Sequence, residues 1–104
     1  MAEYVKDAPS REEIDATAGF TVLDFGENWC GYCQAARPHI EAALAGRADV
    51  THIKVLDGRG KPLGRSFRVK LWPTLIVLKD GAEVARVVRP ESADEVSAAL
   101  AKLA

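Results

Sequence analysis

A chain of 104 residues, 48% apolar and 28% charged, can bury roughly two-thirds of its unfolded surface, so one domain over residues 1–104 is expected. Its formal charge of −1 provides no field to gather nucleic acid, and the late apolar run Leu75–Leu78 falls far short of the ~20 residues of a membrane helix. Two cysteines are too few for the disulfide scaffold of a small secreted domain.

The opening MAEYVKDAPSREE carries early acidic residues and no apolar run of signal-peptide length, which makes the cytoplasm the expected compartment. Tyr4 and Val5 are a candidate edge strand. Ser10 and Glu13 have capping-box spacing ahead of a short helix over Arg11–Ala18, with Gly19 as its stop. Phe20–Phe25 (FTVLDF) is apolar and β-favouring, so it reads as a strand buried on both faces, running straight into NWCGYC.

From Cys33 the run QAARPHIEAALAG places Ala36, Ile40, Ala43 and Leu44 at helical spacing before Gly46. Pro38 removes one backbone donor inside this helix and is expected to bend it. Val50–Leu56 is the next strand, and the intervening helix makes a right-handed parallel crossover the default connection. Residues 57–70 are glycine-containing and basic, with one short helix around Leu63–Phe67. Thr74–Lys79 and Glu83–Val88 form a hairpin through Asp80 and Gly81. Ser92 and Glu95 repeat the capping box before a last helix whose apolar stripe is Val96, Leu100 and Leu103. The fold class is α/β, with a mixed sheet of four to five strands flanked by helices.

Both cysteines lie three positions apart at a strand-to-helix junction. If Cys30 occupies the first helical turn, Cys33 lies within disulfide range one turn along. Unpaired amides and the helix dipole favour a thiolate at Cys30, making it the expected nucleophile. A more stable thiolate is intrinsically less reactive, so the position tunes the reduction potential more than the rate. Cys33, further in, would resolve a mixed disulfide once something accepts its proton. Asp24 shares strand parity with Phe20 and Val22, so its carboxyl is expected to be buried there and to serve as that acceptor, with Lys54 on the neighbouring strand as its partner. A structural zinc wants four ligands, and only His39 and His52 remain as soft donors, so no metal is expected within one chain. A metal bridging two chains stays open, as does a pair closed only for structure.

Asp24-Phe25, Trp29-Cys30-Gly31-Tyr32-Cys33, Pro38, Lys54, Pro73-Thr74 and Gly81 fall at the spacings of one family, and over nearly its whole length the chain resembles a thioredoxin. The resemblance implies a thioredoxin-like fold and a protein-disulfide reductase with no cofactor beyond the Cys30–Cys33 pair. It also implies a monomer acting on protein disulfides and a flavin-dependent reductase as one possible electron source. It implies a cis Trp72–Pro73 peptide against the cysteines, where the backbone beside the proline pairs with an extended substrate. Trp29, Tyr32 and Trp72 are read as an aromatic rim for that substrate or as a cover over the disulfide, and Gly31, Pro73 and Arg89 are the other candidate substrate-binding residues. The chain departs from the family pattern at Gly26, which replaces a tryptophan, and at Tyr32, which replaces the proline between the cysteines. It departs again at Trp72 before Pro73 and at Arg89-Pro90, where the family has a glycine. Tyr32 restores a backbone donor that proline lacks, and a less reducing protein is expected. The basic residues Arg59, Lys61, Arg65, Arg68 and Lys70, with no acid among residues 59–70, read first as a solvated helix face and, in a sharper reading, as selecting an acidic partner. A non-catalytic binding module and a more oxidising isomerase remain the alternatives.

Overall fold

Strand β1 (Phe20–Gly26) lies inside a four-stranded sheet of order β2-β1-β3-β4, with β2 at Val50–Leu56, β3 at Thr74–Lys79 and β4 at Ala82–Val88. The structure is a computed structural model and describes residues 3–4 and 7–103. β1 runs parallel to β2, in the register Asp24 opposite Lys54, and antiparallel to β3. The sheet is therefore mixed, with its one parallel pair made by the crossover through helix α2 (Gly31–Ala45). β3 and β4 are joined at Asp80-Gly81, whose φ values of 50° and 81° are both positive. That is the pattern of the two-residue turn whose twist matches a hairpin.

β1 is buried on both faces from Thr21 to Gly26, as its unbroken apolar run requires. Alternate side chains feed two cores. On one face Val22, Leu75 and Val77 pack with Ala36 and Ile40 of α2 and with Val96 and Leu100 of α4 (Ala93–Leu100). On the other, Leu23, Phe25 and Ile76 pack with Ile14 of α1 (Arg11–Asp15) and with Leu63 and Phe67 at α3 (Pro62–Ser66). Asp24 has the parity of Val22 and so points toward the α2 side.

Three expectations need correction. The first helix ends at Asp15 rather than Ala18, because the Thr17 hydroxyl takes the Glu13 carbonyl and Gly19 turns away at φ 86° to exchange hydrogen bonds with Asp80. α2 begins at Gly31, with Cys30 as its cap rather than in its first turn. No fifth strand forms at Tyr4, which is irregular but buried, and Val5 lies outside the described residues. Among the described residues no helix is long and apolar enough to cross a membrane.

Candidate active site

Cys30 caps α2: its Sγ accepts the Cys33 amide at 3.2 Å, a contact only a residue with extended backbone just before the first turn can make. No acidic residue occupies that first turn, so no side chain of the turn itself competes with Cys30 for the positive end of the helix. Cys33, at the third helical position, is 3% exposed whereas Cys30 is partly open, and both are free thiols. Burial first, and then the neighbouring Cys30, push the Cys33 thiol up from its ordinary 9.0 to about 12. A thiol held that tightly has to hand its proton to an acceptor before it can attack.

Behind Cys33, across Gly26, lies a buried polar cluster. Asp24 is fully buried, and each of its oxygens has partners. Oδ1 receives the Tyr4 hydroxyl at 2.9 Å, while Oδ2 meets His52 Nε2 at 2.9 Å and lies 3.6 Å from Lys54 Nζ. The β1/β2 register explains the last two, since Lys54 sits opposite Asp24 and His52 two residues earlier faces the same side. Lys54 also lies 4.4 Å from the centre of the Tyr4 ring, a cation over an aromatic face in a dry setting. Asp24 and Lys54 are thus brought together as expected, while Tyr4 and His52 are partners that sequence reasoning did not assign. Strand parity with Lys54 was the available signal for His52. None existed for Tyr4, which arrives from an irregular segment.

The space Tyr4 occupies is opened by Gly26. A methyl group built on Gly26 would overlap the Tyr4 ring, lie 2.6 Å from its hydroxyl and lie 2.9 Å from Cys33 Sγ. The Tyr4 amide is fixed in turn by donating to Asn28 Oδ1 at 3.1 Å. One missing side chain in β1 therefore lets an aromatic ring from the N-terminal segment fill the ground between Asp24 and Cys33.

On the open side of the dithiol, the Trp72–Pro73 peptide is cis and the Trp72 carbonyl lies 3.9 Å from Cys30 Sγ. The Trp72 indole donates to Asp57 Oδ2 at 2.9 Å. Gly64 makes room for that carboxylate, because any Cβ there would overlap it. Arg89 donates its amide to the Pro73 carbonyl at 2.9 Å and its Nε to the Trp72 carbonyl at 2.8 Å. Trp29 and Tyr32 are 87% and 59% exposed and form an aromatic rim beside the dithiol. Leu71, next to Trp72 in sequence, is exposed as well. Space beside Gly31 is open. Trp72 and Asp57 also line a cleft of about 480 Å³ whose other walls carry Arg59, Lys61, Arg65, Arg68 and Lys70. None of these five forms an ion pair among the described residues.

Such an arrangement can exchange disulfides: a capped, accessible sulfur, a buried second sulfur one turn away, a carboxylate cluster behind it and an exposed rim in front. Among the described residues no group of three or more histidine, cysteine or acidic side chains is placed to hold a metal ion.

Comparison with known proteins agrees with this chemistry. The Thioredoxin family model matches residues 2–102. A thioredoxin of Chlamydia pneumoniae is 40% identical over 82 residues, which make up 76% of this chain and 79% of that protein. Thioredoxin H2 of Arabidopsis thaliana is 30% identical over 91 residues, 88% of this chain and 68% of its own length. Among solved structures, reduced thioredoxin 2 from Pseudomonas aeruginosa PAO1 superposes with a TM-score of 0.88 at 51% identity, covering 98% of this chain and 94% of that one.

Proposed function

Because this chain belongs to the thioredoxin family of thiol-disulfide oxidoreductases, we propose that it reduces disulfides in protein substrates, working as a monomer of one domain in the cytoplasm. The observation that carries this reading is the pairing of a partly open Cys30, capping α2, with a buried Cys33 one turn further in.

In the proposed cycle the Cys30 thiolate attacks one sulfur of a substrate disulfide, forming a mixed disulfide and releasing the other sulfur as a thiolate that takes a proton from solvent. Cys33 gives up its proton toward Asp24 and attacks Cys30 Sγ. The second substrate sulfur then leaves, and Cys30–Cys33 closes as a disulfide. Lys54 holds Asp24 in place. Two electrons have moved from the dithiol to the substrate, and a second dithiol donor, such as a flavin-dependent reductase, would return them. Trp29, Tyr32, Leu71 and Trp72 supply apolar contacts, Gly31 leaves room for the incoming chain, and Arg89 fixes the peptide at Pro73. The cations of the neighbouring cleft, which outnumber the Asp57 carboxylate that shares its lining, favour substrates that are acidic around their disulfide.

Insulin reduction driven by dithiothreitol tests the reading. The wild type is expected to precipitate the insulin B chain, and Cys30→Ser to abolish that turnover while leaving the fold intact. Activity that survives in Cys30→Ser would overturn it.

A further inference from the structure

Both oxygens of Asp24 are already engaged, one by Tyr4 and the other by His52 and Lys54. The Tyr4 hydroxyl, which donates to Oδ1, and the Cys33 sulfur border the same point beside Gly26, 2.6 Å and 2.9 Å from it, so the hydroxyl neighbours both the carboxylate and the sulfur. A tyrosine hydroxyl can accept one hydrogen bond while it donates another.

We propose that Tyr4 is a proton relay: as the Cys33 thiol proton passes to the Tyr4 oxygen, the Tyr4 proton passes to Asp24 Oδ1. The phenol is neutral before and after the step, Asp24 ends protonated, and the freed Cys33 thiolate attacks Cys30. The groups facing Asp24 are Tyr4 from the N-terminal segment, His52 and Lys54 from β2, and Cys33 across Gly26 from α2. Burial and the adjacent Asp24 charge hold the Tyr4 proton far above the usual phenol range, so Tyr4 passes a proton through without resting as a phenolate. Gly26 is what admits this device, because any larger residue there would displace the ring.

The proposal rests on Cys30 as attacking and Cys33 as resolving thiol with Asp24 as acceptor, and its test separates the two levels. Reduced protein mixed with 5,5′-dithiobis(2-nitrobenzoate) releases one thionitrobenzoate when Cys30 attacks and a second when Cys33 resolves the mixed disulfide. Stopped-flow absorbance therefore resolves the two phases. Tyr4→Phe keeps the ring and is expected to slow the second phase about 10-fold at pH 7, a fraction of what general acid–base catalysis commonly contributes. The first phase is expected to change by less than about 2-fold, because Cys30 lies outside the relay. The difference should shrink toward pH 9.5 as hydroxide takes over. Tyr4→His, which can again donate and accept, should restore part of the rate. In an Asp24→Asn background Tyr4→Phe should add no further slowing, as two links of one path are not additive. If Asp24→Asn slows the second phase and Tyr4→Phe does not, or if the two slow it additively, Tyr4 is no relay. If Asp24→Asn leaves that phase unchanged, the acceptor assignment fails and takes the relay with it.

Discussion

The guanidinium of Arg89 lies 3.7 Å above the centre of the Tyr32 ring. The same side chain reaches the Trp72 carbonyl, so one cation ties the residue between the cysteines to the peptide before Pro73. Arg89 does this from a φ of 52°, which costs a residue with a side chain roughly 1–2 kcal/mol. A cation over an exposed ring recovers about 0.5–1 kcal/mol, and the hydrogen bond a similar amount. Arg89→Gly, which removes strain and contacts together, should therefore move stability by less than about 1 kcal/mol. Loss of the tie should lower kcat/KM for insulin roughly 3-fold or more by leaving the substrate-facing peptide less well held. Thermal melts and steady-state rates on the same preparation check both halves.

Tyr32 contributes its backbone as well as its ring. It is the second residue of α2, and its amide is one of the unpaired donors at a helix start, where negative charge is favoured. Proline at this position deletes that donor, weakening the dithiol form relative to the disulfide. Tyr32→Pro is expected to make the protein more reducing by a few tens of millivolts, about 30 mV corresponding to 1.4 kcal/mol for this couple. Equilibration with a glutathione buffer measures it. A shift toward a more oxidising potential would contradict the argument.

Charge in the cleft beside Trp72 sets up a salt-dependent preference. Lys70 is exposed on that wall, and Lys70→Glu replaces attraction with repulsion for an acidic segment. With two disulfide peptides differing only in acidic or neutral flanks, the substitution should reduce kcat/KM for the acidic one about 3-fold or more at low salt. At 1 M salt, where the screening length is about 3 Å, the two proteins should converge. Equal losses on both peptides would point to a packing effect instead.

Burial of Cys33 has a consequence for stability against pH. Its folded value of about 12 lies above the ordinary 9.0, so the folded state retains a proton that the unfolded chain releases. The stabilisation is complete below about pH 9 and is lost as pH rises toward 12, since stability falls with pH wherever the native state binds more protons. Urea unfolding of the reduced protein should therefore show declining stability from pH 8.5 to 10.5. Cys33→Ala should flatten that decline.

The elements were legible where local signals agreed with tertiary packing. β2 and β3 have the bounds their apolar runs indicated, and Asp80-Gly81 makes the expected hairpin turn. Asp24 was legible too, because a carboxyl at a core position of a buried strand is conspicuous. Tyr4, His52 and Asp57 were not legible as site residues. Tyr4 and Asp57 take their places through contacts distant in sequence, with Asp24 and Trp72, and neither lies in a helix or strand whose periodicity could point to them. His52 has the correct parity, but parity alone does not separate a buried carboxylate's partner from an ordinary strand residue. Arg89 was picked out as a departure, while its grip on Tyr32 and Trp72 depends on a left-handed backbone conformation that sequence patterns rarely disclose.

Gly26 makes the reaction centre a two-piece object. Where a β1 side chain would have walled off Cys33 from within the sheet, the wall is a ring borrowed from beyond α1 and anchored by Asn28. A tag, fusion partner or cleavage that pulls Tyr4 from its seat would thus act on the resolving sulfur at close range, without altering any residue of the sheet or of α2.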